Sequence, residues 1–323
     1  MCDMARHLVT GCAGFVGSNL VDRLLADGHD VVGFDNLVTG RTEFLADALK
    51  DRRFAFVEGD LLDPQQLRQA MQGRIDVVFH MAANADISRG LEQPRKDLEQ
   101  NTIATFNVLD AMRKSESRRI VFASTGSIYG EPRIFPTPED CPFPVQTSFY
   151  GASKLAGESL ISAFCEGYDF QGYIFRFVSV LGERYTHGHV YDFYRKLRED
   201  PRRIDVLGDG NQTKSYMYIG DCVAGMLAGL DKGTDKVNIF NLGTDETIRV
   251  KDSLALIAAH LGLDPQVCYA GGTRGWVGDS PMIHLDCSRL RGLGWKPLVS
   301  IGDGIVRTLE WLIGNQWVYA AKG

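Results

Sequence analysis

Five residues, Tyr150-Gly151-Ala152-Ser153-Lys154, set a phenol and an ammonium four positions apart. On a helix such positions lie on one face a turn apart, so both groups project into the same space. A free tyrosine has a pKa of about 10, and a nearby cation favours its charged form. Lys154 is therefore expected to draw Tyr150 down until its tyrosinate can take a proton from a sugar or alcohol hydroxyl near neutral pH. Upstream stands Ser124-Thr125-Gly126-Ser127-Ile128-Tyr129-Gly130, whose hydroxyls can hydrogen-bond a substrate oxygen without adding charge. The Tyr/Lys spacing also arises by chance in many helices, so its meaning depends on what the chain builds around it.

A second group of residues supplies that context. Gly11, Gly14 and Gly17 fall in the run Gly11-Cys12-Ala13-Gly14-Phe15-Val16-Gly17, between the short apolar strand His7-Leu8-Val9-Thr10 and an apolar-periodic helix reaching about Leu25. The first glycine permits a tight turn, the second lets a pyrophosphate approach the backbone, and the third lets helix pack closely on strand. The helix start then offers amides and a positive dipole end to phosphates. The next strand, Asp30 to Phe34, ends in Asp35, close to the offset of about 20 residues at which an acidic group meets the adenosine ribose hydroxyls. A carboxylate there repels a ribose phosphate, which favours NAD over NADP.

Further strands are read at Phe54–Val57, Ile75–Phe79 and Arg119–Ala123, alternating with helical stretches at about 64–72 and 98–114. This alternation predicts a Rossmann-type α/β fold with a doubly wound parallel sheet, which binds ligands at the carboxyl ends of its strands. Asp60, Ala82 and Ala83 then lie near the cofactor, the alanines leaving room for it. His80 reads as structural, since no second His or Cys stands near it at ligand spacing. After a proline-rich irregular loop, a helix from Tyr150 to about Cys165 is predicted by Leu155, Leu160, Ile161 and Phe164. Residues 1–175 are read as the nucleotide-binding domain, with a segment near 215–245 returning to it, and residues 176–323 mainly as a smaller lobe. Helices are expected at 251–261 and 303–313 within that lobe.

Composition narrows the function classes. The chain has 323 residues, 44% apolar and 24% charged, with a net charge of −6. That balance suits a soluble globular protein and gives no reason to expect nucleic acid. An anionic ligand must then be met by local cations and amides. No apolar run approaches the 18 or so residues of a membrane span, and the chain reads as cytoplasmic. Seven scattered cysteines, none in a Cys-x-x-Cys pair, favour neither a disulfide framework nor zinc. His187 and His189, two positions apart with no third ligand, make a poor metal site.

Together these residues resemble the extended short-chain dehydrogenase/reductase family, in its nucleotide-sugar epimerase and dehydratase branch, and within it the UDP-glucose 4-epimerases. The likeness spans about residues 7 to 312. It rests on Gly11 to Gly17, Asp35-Asn36, Gly59-Asp60-Leu61, His80-Met81-Ala82-Ala83, Asn101, Ser124-Thr125, Tyr129-Gly130, Tyr150 with Lys154, and Arg176. Later come Gly208-Asp209-Gly210 with Gln212, Tyr218 and Asp221, then Gly278-Asp279 and Leu293-Gly294-Trp295. The resemblance implies an NAD cofactor held by the glycine turn with Phe15 and Val16, by Asp35, Asn36, Asp60, Leu61, Ala82, Ala83 and Asn101, and by Tyr150 and Lys154. It makes Thr125 the catalytic hydroxyl, Tyr150 the base, and Lys154 the group that tunes it and holds the nicotinamide ribose.

The implied reaction is epimerisation at C4 of a nucleotide-diphosphate sugar through a 4-keto sugar, the nucleotide being UDP and the sugar a hexose such as glucose or galactose, or a hexuronate. Related dehydratases carry Asp and Glu after the threonine, and related decarboxylases a Glu at the second position. Here Gly126 and Ser127 stand there, which favours epimerisation, although Asp86 or Glu131 could supply an acid. The likeness further implies a substrate site formed by Asp86, Ser127 and Ser179, by the loop at His189 and Val190, and by Lys214, Arg274 and Asp279. Lys214 replaces the family's phosphate-binding Arg, Trp276 stands where an Arg is frequent, and Ser179 replaces a substrate-holding Asn. Dehydration, decarboxylation or net oxidation at C4 remain open, as does a non-catalytic NAD-binding sensor or scaffold. A homodimer is implied, built on the helices near 98–114 and 150–165.

Overall fold

The computed structural model describes residues 4–84, 90–142, 145–276 and 279–320. Short runs of β-branched and aromatic residues become β1 (Arg6–Thr10), β2 (Asp30–Asp35), β3 (Phe54–Glu58), β4 (Val77–His80), β5 (Arg119–Thr125) and β6 (Gln171–Phe177). They pair in parallel in the order β6-β5-β4-β1-β2-β3, and the strand Val237–Leu242 joins β6 as the seventh. Leu8 of β1 aligns with Val32 on one side and Val78 on the other. Alternation along each strand sends successive side chains to opposite faces. Leu8, Ile120 and Phe122 enter a core shared with helices Pro64–Ala70, Ala104–Arg113 and Phe149–Tyr168. Val9, Val121 and Phe175 enter one shared with helices Phe15–Ala26 and Ile219–Lys232. A sheet buried on both faces is what near-continuous apolar strands require, and the fold is the expected Rossmann-type α/β one.

The second core runs without a break into the later elements, taking in Val190, Ile204, Leu254 and Ile305. Helix His189–Glu199, helix Val250–His260 and helix Ile301–Gly314 pack there with the parallel pair Ser179–Leu181 and Tyr216–Tyr218 and with two further small sheets. In one, Arg203–Val206 pairs with Gln266–Tyr269. In the other, Thr213–Lys214 lies between Ile248–Arg249 and Met282–Ile283. The turn Gln316–Tyr319 folds back over the loop after β2: Arg41 Nη2 donates to the Val318 carbonyl at 3.0 Å, and Phe44 meets Trp317 at 5.7 Å between ring centroids.

One expected helix differs. The stretch read as a single helix over 98–114 is Pro94–Asp97, a wider π-helical turn Leu98–Ile103, and Ala104–Arg113. The wide turn carries Asn101, whose side chain bonds to Asn84 and Ser153. The Tyr150 helix begins at Phe149, capped by the Ser148 hydroxyl accepting from the Gly151 amide at 3.0 Å, and runs to Tyr168. It stops where Asp169 turns left-handed at φ 55°.

Candidate active site

The sheet order reverses between β1 and β4, which opens a crevice at the carboxyl ends of those strands. The Gly11–Gly17 turn lies on one side of it. Gly11 sits at φ 69°, and a Cβ there would come within 2.7 Å of the Ala82 backbone. A Cβ on Gly17 would reach 2.0 Å from the Gly11 carbonyl. Gly14 caps the helix without a side chain, leaving the first-turn amides open to an anion. This cradle, which side chains would fill, fits a dinucleotide pyrophosphate.

The other residues expected at the cofactor gather along the same rim. Asp35 accepts from the Ala13 amide at 3.0 Å and the Leu37 amide at 2.8 Å, tying the glycine turn to the end of β2. Asn36 reaches toward Asp60 at 3.4 Å, and Asp60 accepts from the Leu62 amide at 2.9 Å. Leu61 is buried, and Ala82 and Ala83 follow β4. Asn101 is buried and bridges two elements: its oxygen accepts from the Asn84 amide at 2.8 Å and its nitrogen donates to Ser153 Oγ at 2.9 Å. His80 is spoken for at both ring nitrogens, by Thr10 Oγ1 at 2.7 Å and Thr105 Oγ1 at 3.0 Å, in keeping with a structural role.

Thr125 ends β5, and its hydroxyl accepts from the Ser127 amide at 3.1 Å, which shapes the turn Gly126–Tyr129. The Thr125 hydroxyl acts on the Tyr150 phenol and favours its ionised form. Lys154 lies behind them, 1% exposed, its Nζ 4.2 Å from the centroid of the Phe122 ring. The electrostatics correct the sequence expectation. Burial dominates Tyr150 and pushes it up to about 12, Thr125 pulling it down and Asp97 pushing it up further. Burial likewise draws Lys154 down to about 7, against the carboxylate of Glu158. The protein by itself therefore favours phenol with amine over tyrosinate with ammonium. A further positive charge at the crevice is needed to shift that balance.

The substrate candidates divide into three groups. Ser127 lies beside Thr125. Ser179 opens the strand Ser179–Leu181 with an exposed side chain. His189 turns inward, its Nε2 2.7 Å from Ser253 Oγ and its ring 4.4 Å from that of Tyr216, and Val190 is buried. These two can meet a ligand through the backbone at the start of their helix. Lys214 and Asp279 are paired with each other: both are buried, with Lys214 Nζ 2.6 Å from Asp279 Oδ1, and Asp279 Oδ2 accepts from the Gly275 amide at 3.0 Å. Arg274 is exposed and ion-paired to Glu131. Asp86 and Gly278 lie outside the described residues.

Sequence reasoning passed over Glu158, the buried acid one turn beyond Lys154. A carboxylate on the apolar face of a helix is the signal that could have found it.

The family model described as NAD dependent epimerase/dehydratase matches residues 7–243. The chain is 35% identical over 311 residues to UDP-glucose 4-epimerase of Mycolicibacterium smegmatis, covering 94% of this chain and 97% of that one. A crystal structure of UDP-galactose 4-epimerase superposes with a TM-score of 0.86 at 35% identity, over 97% of this chain and all of that one. UDP-glucuronic acid 4-epimerase of Bacillus cereus, solved with UDP-glucuronic acid and NAD, superposes at 0.88 with 26% identity, over 96% and 99% of the two chains.

Proposed function

The chain belongs to the NAD dependent epimerase/dehydratase family, and from that premise we propose that it is an NAD-dependent 4-epimerase of a UDP-hexose or UDP-hexuronate. What supports the reading is Thr125 closing β5 next to the turn Gly126–Tyr129, Tyr150 in the first turn of its helix with buried Lys154 one turn on, and Gly126 and Ser127 where elimination would need carboxylates. Glu131, the described acid nearest in sequence to that turn, is engaged by Arg274.

When bound, NAD would supply the hydride acceptor and donor for C4 and a positive charge that favours tyrosinate over phenol. Tyr150 then takes the proton of the sugar 4-hydroxyl while Thr125 holds the same oxygen, and Tyr150 returns the proton once the keto sugar has presented its other face. Asp35 would receive the adenosine ribose hydroxyls, and Lys154 would hold the nicotinamide ribose. The amides at the start of helix His189–Glu199 and the Lys214 ammonium serve the diphosphate. No proton donor beyond Tyr150 is required, which separates this reading from dehydration and decarboxylation.

The proposal includes a homodimer. Leu98, Phe106, Phe149 and Tyr168 are each more than two-fifths exposed on the two neighbouring helical segments, and Phe106 and Tyr168 both contact the Phe164 ring. Such an apolar face suits a second copy of itself. Sedimentation showing monomer alone at micromolar concentration would remove this part. The six described cysteines are free thiols, which suits a reducing, cytoplasmic setting. Among the described residues no helix is long and apolar enough to cross a membrane.

A proton NMR time course with UDP-glucose, UDP-N-acetylglucosamine and UDP-glucuronate tests the reading. One of them is expected to give its C4 epimer up to equilibrium without stoichiometric NADH, whereas a keto or decarboxylated product would refute epimerisation. Tyr150→Phe is expected to abolish turnover and leave nucleotide binding intact. Unchanged turnover would sink the assignment of the base.

A further inference from the structure

Behind the crevice lies a chain of buried polar groups that the reaction as written does not use. Glu158 follows Lys154 by one helical turn, and the two share the face packed on β5 and β6. Lys154, Glu158 and Arg176 are 1%, 4% and 7% exposed. Arg176, on β6, grips the carboxylate through Nη2 at 2.8 Å and Nε at 3.1 and 3.2 Å. The hydroxyl of Ser124, neighbour of Thr125 in the chain, donates to Glu158 Oε1. Arg176 Nη1 goes on to Tyr129 Oη at 2.7 Å and the Glu139 carbonyl at 2.8 Å, and Tyr129 donates to Asn241 Oδ1 at 2.8 Å. Every strong donor on this carboxylate thus comes from an element that also shapes the rim.

A buried ion pair contributes little net stability compared with an apolar pair of the same volume, so stability alone is a weak reason for this one. We propose that Glu158, fixed by Arg176 and Ser124, is a positioning residue that holds Lys154 in its charged form and so sets how much of the Tyr150/Lys154 pair is in the reactive state. The reasoning is electrostatic. Phenol with amine and tyrosinate with ammonium carry the same number of protons, so no change of pH converts one into the other. Their ratio depends only on the local field. The groups facing the pair are Asp97 toward Tyr150, His80 and the Phe122 ring toward Lys154, and Glu158 with Arg176 beneath. His80 is held neutral by burial, so Glu158 is the carboxylate that favours ammonium. Ser124 and Arg176 fix its direction.

This rests on Tyr150 being the base, and the test separates the two claims. Glu158→Gln keeps the shape and removes the charge. Lys154 then loses its proton more readily, so the acid limb of kcat against pH should move to lower pH while the plateau falls, about tenfold for each unit by which the Lys154 pKa drops. KM should change little, and Glu158→Asp should restore most of both. A plateau that is unchanged, or that falls with the acid limb fixed, overturns the proposal. If Glu158→Gln fails to fold because Arg176 is left uncompensated, the double variant Glu158→Gln/Arg176→Met leaves no orphan charge and should show the same two shifts in the same direction, each smaller because the opposing charge of Arg176 is gone as well. Loss of turnover in Tyr150→Phe combined with wild-type behaviour in these variants would remove the role of Glu158 alone. Retained turnover in Tyr150→Phe would remove the reading of the site on which it rests.

Discussion

Thr125 is the group that draws the Tyr150 phenol toward ionisation. Thr125→Ala is therefore expected to lower kcat about 10²-fold with KM nearly unchanged, and Thr125→Ser to restore it. A KM effect without a kcat effect in steady-state assays would count against that role. Lys214 makes a different kind of residue. Its ammonium lies against Asp279 in the interior, so Lys214→Met should destabilise the fold by about 3–5 kcal/mol, read by denaturant titration, and raise KM for the UDP-sugar. Lys214→Arg should retain most of the stability. Tyr150 and Lys154 were legible because helical spacing alone puts them together. The pairs Lys214–Asp279 and Glu158–Arg176 were not, because each joins separate elements through tertiary packing that no local pattern encodes. The direction of the Tyr150 shift was misread for the same reason: a short motif shows the neighbour's charge and hides the burial that outweighs it.

Among the elements, the strand, glycine turn and helix over residues 6–26 were the most readable, since tight turning, close approach and apolar period all point one way there. The fit is also tight. Gly17→Ala places a methyl 2.0 Å from the Gly11 carbonyl, so the helix start must shift. Loss of NAD binding, followed by fluorescence titration, is the expected outcome, together with a destabilisation of about 1–3 kcal/mol from overpacking. NAD affinity equal to the wild type would show that the turn is not the cradle. The turn Leu98–Ile103 was unreadable by contrast. Apolar spacing predicts a plain helix there and shows neither the wider turn nor the bonds from the Asn101 side chain to Asn84 and Ser153.

Across the molecule, the fold class was legible because a sheet buried on both faces prints its strands as apolar runs. Acid sensitivity is a whole-molecule consequence of that burial. His80 is buried completely and lowered to about 3, and His7 to about 4, burial being the main cause in both. An unfolded histidine titrates near 6.5, so between these values the unfolded chain binds more protons. Stability should then fall as pH drops below about 6.5, by up to about 1.4 kcal/mol per pH unit for each histidine. Urea midpoints across this range check it, and His80→Asn should flatten the slope. A midpoint constant from pH 7 to 5 would contradict the argument.

The turn Gln316–Tyr319 holds Arg41 and Phe44, beside the loop that leads from Asp35. A ribosome makes the glycine cradle early and that turn late, with the seventh strand of the sheet between them. The loop that follows Asp35 therefore lacks these contacts while the nascent chain is still short of residue 316. The part of the molecule whose sequence speaks first is among the last to be finished in space.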